Sequence, residues 1–229
     1  GGSPHVYFGA AGADGFIERA GQPRFAAVRE DILRRAAQYL DPEDPAHLHP
    51  ENLAHDVRGA IRRKWGWPRQ VGRILSAHVE TLGAAATLTG DAAQREHGAR
   101  LLAAFSEEFP IDGEIMAETN ALDHGEFARG LAFALAFFGE ELPPEQRARV
   151  AAVARQYVER ILDEIETPAW YYPYSNWTAV SVGGAGLLAL ALEDDYPAQS
   201  QTWVERSQSL LTDWLDQSFG ADGECSEHG

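Results

Sequence analysis

Apolar residues recur along most of this chain at the three- and four-residue spacing of one helix face. Phe25, Val28, Ile32, Ala36 and Tyr39 make the first such stripe. It predicts a helix from Pro23, a residue suited to a first helical turn, to Leu40, where Asp41-Pro42 stops it. Residues 41–69 read as irregular, punctuated by Pro42, Pro45, Pro50 and Pro68, with a short helical patch near Leu53 to Arg63. A second long helix is predicted over 70–89, with Val71, Ile74, Leu75, His78, Val79, Leu82 and Ala86 on its apolar stripe. Gly90 closes it and Asp91 caps the next, over 92–105. Further helices are predicted over 123–138, over 143–165 with Glu145 placed for the helix dipole, over 178–192 and over 198–219. No segment alternates with period two over a strand length; only 4–8 and 170–174 read as extended.

Helices of similar length joined by short turns predict antiparallel hairpins and an all-α domain. No fixed period marks a TPR or HEAT array. Periodicity leaves two architectures open, an α/α toroid and an irregular bundle or solenoid. The 229 residues suffice for one domain with a sizeable core. The longest apolar run, 178–192, is short for a bilayer and rich in Gly and Ala, so it reads as a buried helix and no membrane partner is expected. Gly1-Gly2-Ser3 shows no secretory pattern, which leaves localisation open for a chain read as soluble.

Charge narrows the partners. With 19 basic and 35 acidic residues the formal net charge is -16, which argues against nucleic acid. It argues only weakly against an anionic polymer, because exposed charges are screened beyond about 8 Å at physiological salt. A local basic stretch, Arg62-Arg63-Lys64-Trp65-Gly66-Trp67-Pro68-Arg69, interleaves tryptophan with nearly all the clustered positive charge. Trp67 and Arg69 there suit an anionic sugar, since a guanidinium forks onto carboxylate or sulfate and indole stacks on the ring; a solvated helix end with packed tryptophans is the other reading. A single cysteine, Cys225, excludes an internal disulfide and a thiolate zinc cluster.

The densest chemistry lies in Trp170-Tyr171-Tyr172-Pro173-Tyr174-Ser175-Asn176-Trp177, followed by Thr178-Ala179-Val180 and Gly183-Gly184-Ala185-Gly186. Aromatic faces such as Trp170, Tyr172, Tyr174 and Trp177 stack on sugars, and Asn176 stands at a helix start. Two readings remain: a sugar-binding wall with Asn176 facing ligand, or aromatics plugging a gap between helices with Asn176 as an N-cap.

The segment Asn176-Trp177-Thr178-Ala179-Val180, Gly183-Gly184-Ala185-Gly186 and Leu187 to Leu192 resembles the Asn-Trp-Asn-x-Val…Gly-Gly-x-Gly…Ala-Leu-Ala stretch of heparinase II/III-like polysaccharide lyases. Pro4 to Phe8 resembles that family's short opening before its first helix. Glu118 to Phe138 followed by Leu142-Pro143-Pro144-Glu145-Gln146-Arg147 resembles a helix, turn and helix start. Asp222-Gly223-Glu224-Cys225-Ser226-Glu227-His228-Gly229 resembles an Asp-Gly-x-x-x-Glu-Gly loop. The order of these motifs covers most of the chain.

The resemblance implies an incomplete α/α toroid spanning 1–229, the N-terminal part of a larger lyase whose C-terminal β-sandwich lies beyond it. It implies cleavage of a uronic-acid-containing polysaccharide by β-elimination, without cofactor or metal. Asn176 then matches the residue that neutralises the uronate carboxylate, His228 an acid or base, and Glu227 a partner that orients His228 or binds sugar hydroxyls. Two departures stand out. Trp177 occupies a position where several relatives carry His, and the Tyr expected after the Asp222 loop lies beyond Gly229.

Several histidines offer further candidate chemistry. His124 opens a helix beside Glu126, either facing a cleft or packed. His47, His49 and His55 lie in a Pro-rich loop without metal-ligand spacing. His78, on an apolar stripe, reads as a satisfied core histidine. No phosphate loop, dinucleotide fingerprint or serine elbow appears. Two alternatives to the lyase stay open: a non-catalytic carbohydrate-binding or scaffold domain, and a glycoside hydrolase drawing on Glu118, Asp123 or Glu227.

Overall fold

The computed structural model describes residues 5–8, 12–64, 70–114, 116, 121–167, 175–220, 222 and 224. Ten α-helices are present among them: α1 (His5–Phe8), α2 (Gly12–Ala20), α3 (Ala26–Leu40), α4 (Leu53–Lys64), α5 (Gln70–Thr89), α6 (Ala92–Glu108), α7 (Ala121–Phe138), α8 (Pro144–Glu164), α9 (Asn176–Ala191) and α10 (Pro197–Ser218). Short 3-10 turns at Pro23–Phe25, Pro50–Asn52 and Gly139–Glu141 join some of them. No helix among the described residues is long and apolar enough to cross a membrane.

The boundary chemistry acts as expected at several points. Gly90 takes φ +70°, the left-handed conformation that ends α5. The Asp91 side chain then accepts a 2.8 Å hydrogen bond from the Ala93 amide and starts α6. Two expectations are corrected. Residues 5–8, read as extended, form a short helix, because Tyr7 and Phe8 pack on Phe133, Phe137 and Phe16 and make no strand pairing. α2 was not foreseen, and Val28, placed on the core stripe, is 58% exposed.

The helices sort into two layers. α7 lies between α5 and α9 and makes the most extensive interfaces of the molecule with them. Gly72 meets Glu126, Gly130 meets Ser76, and Gly83 meets Phe137. Contacts therefore advance in step, and α5 and α7 run parallel. α6 and α8 each pack against the helices before and after them, and α10 packs on α9 and α8. α10 runs antiparallel to α9, with Gly186 against Ser207 and the Ser200 hydroxyl donating 2.7 Å to the Ala189 carbonyl. Sequence explains the sorting. α7 and α9 are apolar around most of their circumference and must be covered on several sides, whereas α8 and α10 carry one apolar face. The core between the layers holds Leu82, Leu102, Phe127, Phe138, Tyr157 and Leu188, all fully buried.

α7 and α9 approach especially closely. A Cβ on Gly184 would stand 2.2 Å from the Gly125 carbonyl oxygen, and one on Gly125 would stand 2.6 Å from the Ser181 Cα. Only two glycines permit this separation. The contact brings the first turns of α9 beside those of α7.

Candidate functional site

The start of α9 is built from its cap outward. Ser175, not Asn176, is the N-cap: its hydroxyl accepts a 3.2 Å hydrogen bond from the Trp177 amide. Asn176 is the first helical residue, and its side chain is exposed. Trp177 is 40% exposed, unusual for so large an apolar group. Thr178 and Ser181, on the opposite side of the turn, are buried. The first turn of α9 thus presents an amide and an indole side by side to solvent.

His124 does not join them at the surface. It is only 6% exposed, with Nδ1 3.6 Å from a Glu164 carboxylate oxygen and its ring edge-on to Tyr157. Burial holds the imidazole below the usual histidine range, while the Glu164 carboxylate pulls the other way. The Tyr157 hydroxyl donates 2.7 Å to the Phe109 carbonyl and fixes that wall. His124 is therefore a packed residue between α7 and α8. Asp123 is also buried, at 3% exposure, which removes it from any surface pair of carboxylic acids.

A charged network joins α5 and α7, and no sequence motif announces it. Glu126 is almost wholly buried and receives Arg73 Nε at 3.0 Å and Arg129 Nη2 at 3.2 Å. Arg129 also approaches Glu80 at 3.9 Å. Burial pushes the Glu80 carboxyl above its ordinary range; Arg129 opposes this and Glu126 adds to it. Burial, with Glu80 adding, likewise raises the Tyr7 hydroxyl. The only sequence signal was a charged residue interrupting each apolar stripe. Arg73 and Glu126 are 53 residues apart in sequence and meet where α5 packs on α7.

A groove of about 670 Å³ lies elsewhere, along α6 and the start of α8. Its arginines are already neutralised, Arg95 by Glu141 at 3.3 Å and Arg100 by Glu51 at 2.9 Å. None of the residues singled out for sugar chemistry lines it. Trp67, Arg69, Trp170, Tyr172, Tyr174, Glu227 and His228 lie outside the described residues. Among the described residues no group of three or more His, Cys, Asp or Glu side chains is placed to hold a metal ion. No family model and no curated protein matches the chain.

Proposed function

We propose that this chain is the sugar-handling helical domain of a polysaccharide lyase acting on uronic-acid-containing polymers or oligomers. The observation that carries the reading is the pairing of exposed Asn176 with exposed Trp177 on the first turn of α9. The two-layer stacking, with α5 parallel to α7, supports an arc of an incomplete α/α toroid, a fold whose inner helix ends face a substrate cleft.

In this reading the Asn176 amide donates to the uronate carboxylate, without adding a charge, as negative charge develops on the adjacent carbon. A base removes the proton from that carbon, a carbon–carbon double bond forms, and the glycosidic oxygen leaves with a proton from an acid. His228 and Glu227 are the proposed groups for these transfers. Trp177 stacks on a neighbouring sugar ring. The first turn of α9 adds its dipole, which favours an anion at the same point.

The test is to incubate the protein with a panel of uronic-acid polymers and oligomers and follow ultraviolet absorbance of the unsaturated product, with Asn176→Ala alongside. Absorbance that grows with the parent and falls at least about a hundredfold in the variant supports β-elimination, in line with loss of one transition-state hydrogen-bond donor. Silence on every polymer, with sugar binding retained, replaces this reading with a non-catalytic carbohydrate-binding domain. That second reading is favoured by one observation: Trp177 stands where several lyases carry His, and His124 of the neighbouring helix α7 is buried.

A further inference from the structure

Five of the chain's eight histidines, His47, His49, His55, His78 and His97, gather around the segment 41–52 between α3 and α4. Among the described residues, the backbone–backbone hydrogen bonds of this segment close within it or onto the end of α3, and none reaches α5 or α6. Side chains make those ties instead. His78 of α5 lies 2.7 Å from the Ala46 carbonyl, Leu48 is buried in the core, and the His47 ring lies 5.0 Å from the His97 ring of α6. At the far end, Asp56 of α4 accepts the His49 amide at 2.7 Å and lies 2.8 Å from His49 Nδ1. A segment held by few side-chain contacts opens locally before the whole protein unfolds.

His97 is the group whose charge this docking opposes. Its ring is 8% exposed, and its Nε2 is buried without a hydrogen-bond partner. The titratable and charged groups that face it are His47 of the segment, Glu51 of the Pro50–Asn52 turn, His78 of α5 and Arg100 of its own helix. Arg100 repels a proton on His97, and so do His47 and His78. Glu51 alone favours one, and it is committed to Arg100 at 2.9 Å. The docked segment thus covers a neutral imidazole, and a lifted one returns that imidazole to water.

We propose that residues 41–48 are an acid-released strap, seated on α5 and α6 while His97 is neutral and lifted about the His49–Asp56 contact when His97 takes up a proton. Burial, with His47, Arg100 and His78 adding to it and Glu51 opposing, pushes His97 from 6.5 down to about 4 in the seated form. Lifting restores the ordinary value, so docking is at full strength above pH 6.5 and weakens as pH falls from 6.5 to 4. The pivot survives in acid. Burial works to raise the Asp56 carboxyl, but the His49 amide and ring and His55 outweigh it and hold the group below its usual range. A proton on His78 would instead grip the Ala46 carbonyl more firmly, so the direction of the pH response separates His97 from His78.

The test places a thiol under the strap, as Leu48→Cys in a Cys225→Ser background. Its reaction with an aromatic disulfide is followed from pH 7.5 to 5 and divided by the rate of an unstructured thiol peptide at each pH. The normalised rate should rise about thirtyfold, the change that a group moving between 6.5 and about 4 imposes on a local opening. Adding His97→Leu should hold the rise to within about twofold. Ala154→Cys, fully buried on α8, reports opening of the whole fold and should react more slowly than Leu48→Cys at every pH. Circular dichroism and thermal melts check that each variant folds. If Leu48→Cys does not, exchange broadening of the Leu48 methyl resonances in the unsubstituted protein gives the same reading, growing on acidification in the parent and not in His97→Leu. The proposal is overturned if the rate stays flat or falls in acid, if His97→Leu keeps the rise, or if Ala154→Cys reacts as fast as Leu48→Cys.

Discussion

The loop from Asp41 to Asn52 and the first turn of α9 are both rich in side chains able to do chemistry, and the fold places them in opposite settings. In the loop the imidazoles are tied to structure. His47 Nδ1 lies 2.6 Å from the Tyr39 carbonyl, and His49 Nδ1 lies 2.8 Å from the Asp56 carboxylate, which also accepts the His49 amide at 2.7 Å. From α5, His78 faces the Ala46 carbonyl at 2.7 Å and the Ile74 carbonyl at 2.8 Å while stacking on Tyr39. Both of its nitrogens lie within hydrogen-bond distance of backbone carbonyls. His97 of α6 packs against His47. At α9, by contrast, the cap is supplied by Ser175, and Asn176 and Trp177 are exposed. The two regions differ in exposure: the α9 pair reaches solvent, whereas the loop imidazoles lie against a backbone carbonyl and a carboxylate.

The largest effect is expected where α9 is held against α7. Gly184→Ala drives a methyl group into the Gly125 carbonyl, and neither backbone can give way cheaply. Urea denaturation should show a loss of about 3 kcal/mol or more. The exchange rates of loop amides 41–52 should stay as they were. A loss below about 1 kcal/mol would mean the helices are not in glycine contact.

On the loop side, His78→Leu leaves the Ala46 carbonyl without its donor and removes the stack on Tyr39. The expected cost is about 2 kcal/mol, together with faster hydrogen exchange confined to 41–52. Unchanged exchange there would show that His78 does not pin the loop.

Next in size is a pH effect. Burial pushes the His97 pKa down from 6.5 to about 4, with His47, Arg100 and His78 adding to the depression and Glu51 opposing it. The unfolded chain therefore takes up a proton near pH 6.5 that the folded protein does not accept until about pH 4. Stability from this group is present above pH 6.5 and is lost as pH falls through that window. The loss is about 2 kcal/mol after allowance for residual solvent screening. His97→Leu should flatten the stability–pH curve between 6.5 and 4 by that amount. Parallel curves for parent and variant would contradict a buried neutral imidazole.

The smallest change in stability is expected at the α9 surface. Trp177→Ala should shift unfolding by no more than about 0.5 kcal/mol, because the indole is partly exposed. Binding of uronic-acid oligomers should weaken about tenfold through loss of ring stacking. Full affinity in the variant would move the sugar surface away from α9.

Much of the helical layout could be read directly from the chain. The three- and four-residue spacing, Gly90, Asp91 and the prolines before α8 and α10 act within a turn or two of themselves, so their effect survives whatever packs around them. The same locality explains the misses. Residues 5–8 offered too few positions to show a helical period. Ser175 and Asn176 are equally good caps by type, and only the backbone path chose between them. Arg73 and Glu126 carry no sequence sign of each other.

The sequence by itself determined where helices lie and which faces are apolar, because side-chain periodicity is a local property of the chain. Tertiary structure alone decided what those faces meet. Gly125 and Gly184 became a helix contact, His124 and Asp123 went into the core, and Val28 was left beside a cavity. Burial depends on the neighbours that distant segments bring, and no single stretch of sequence contains them.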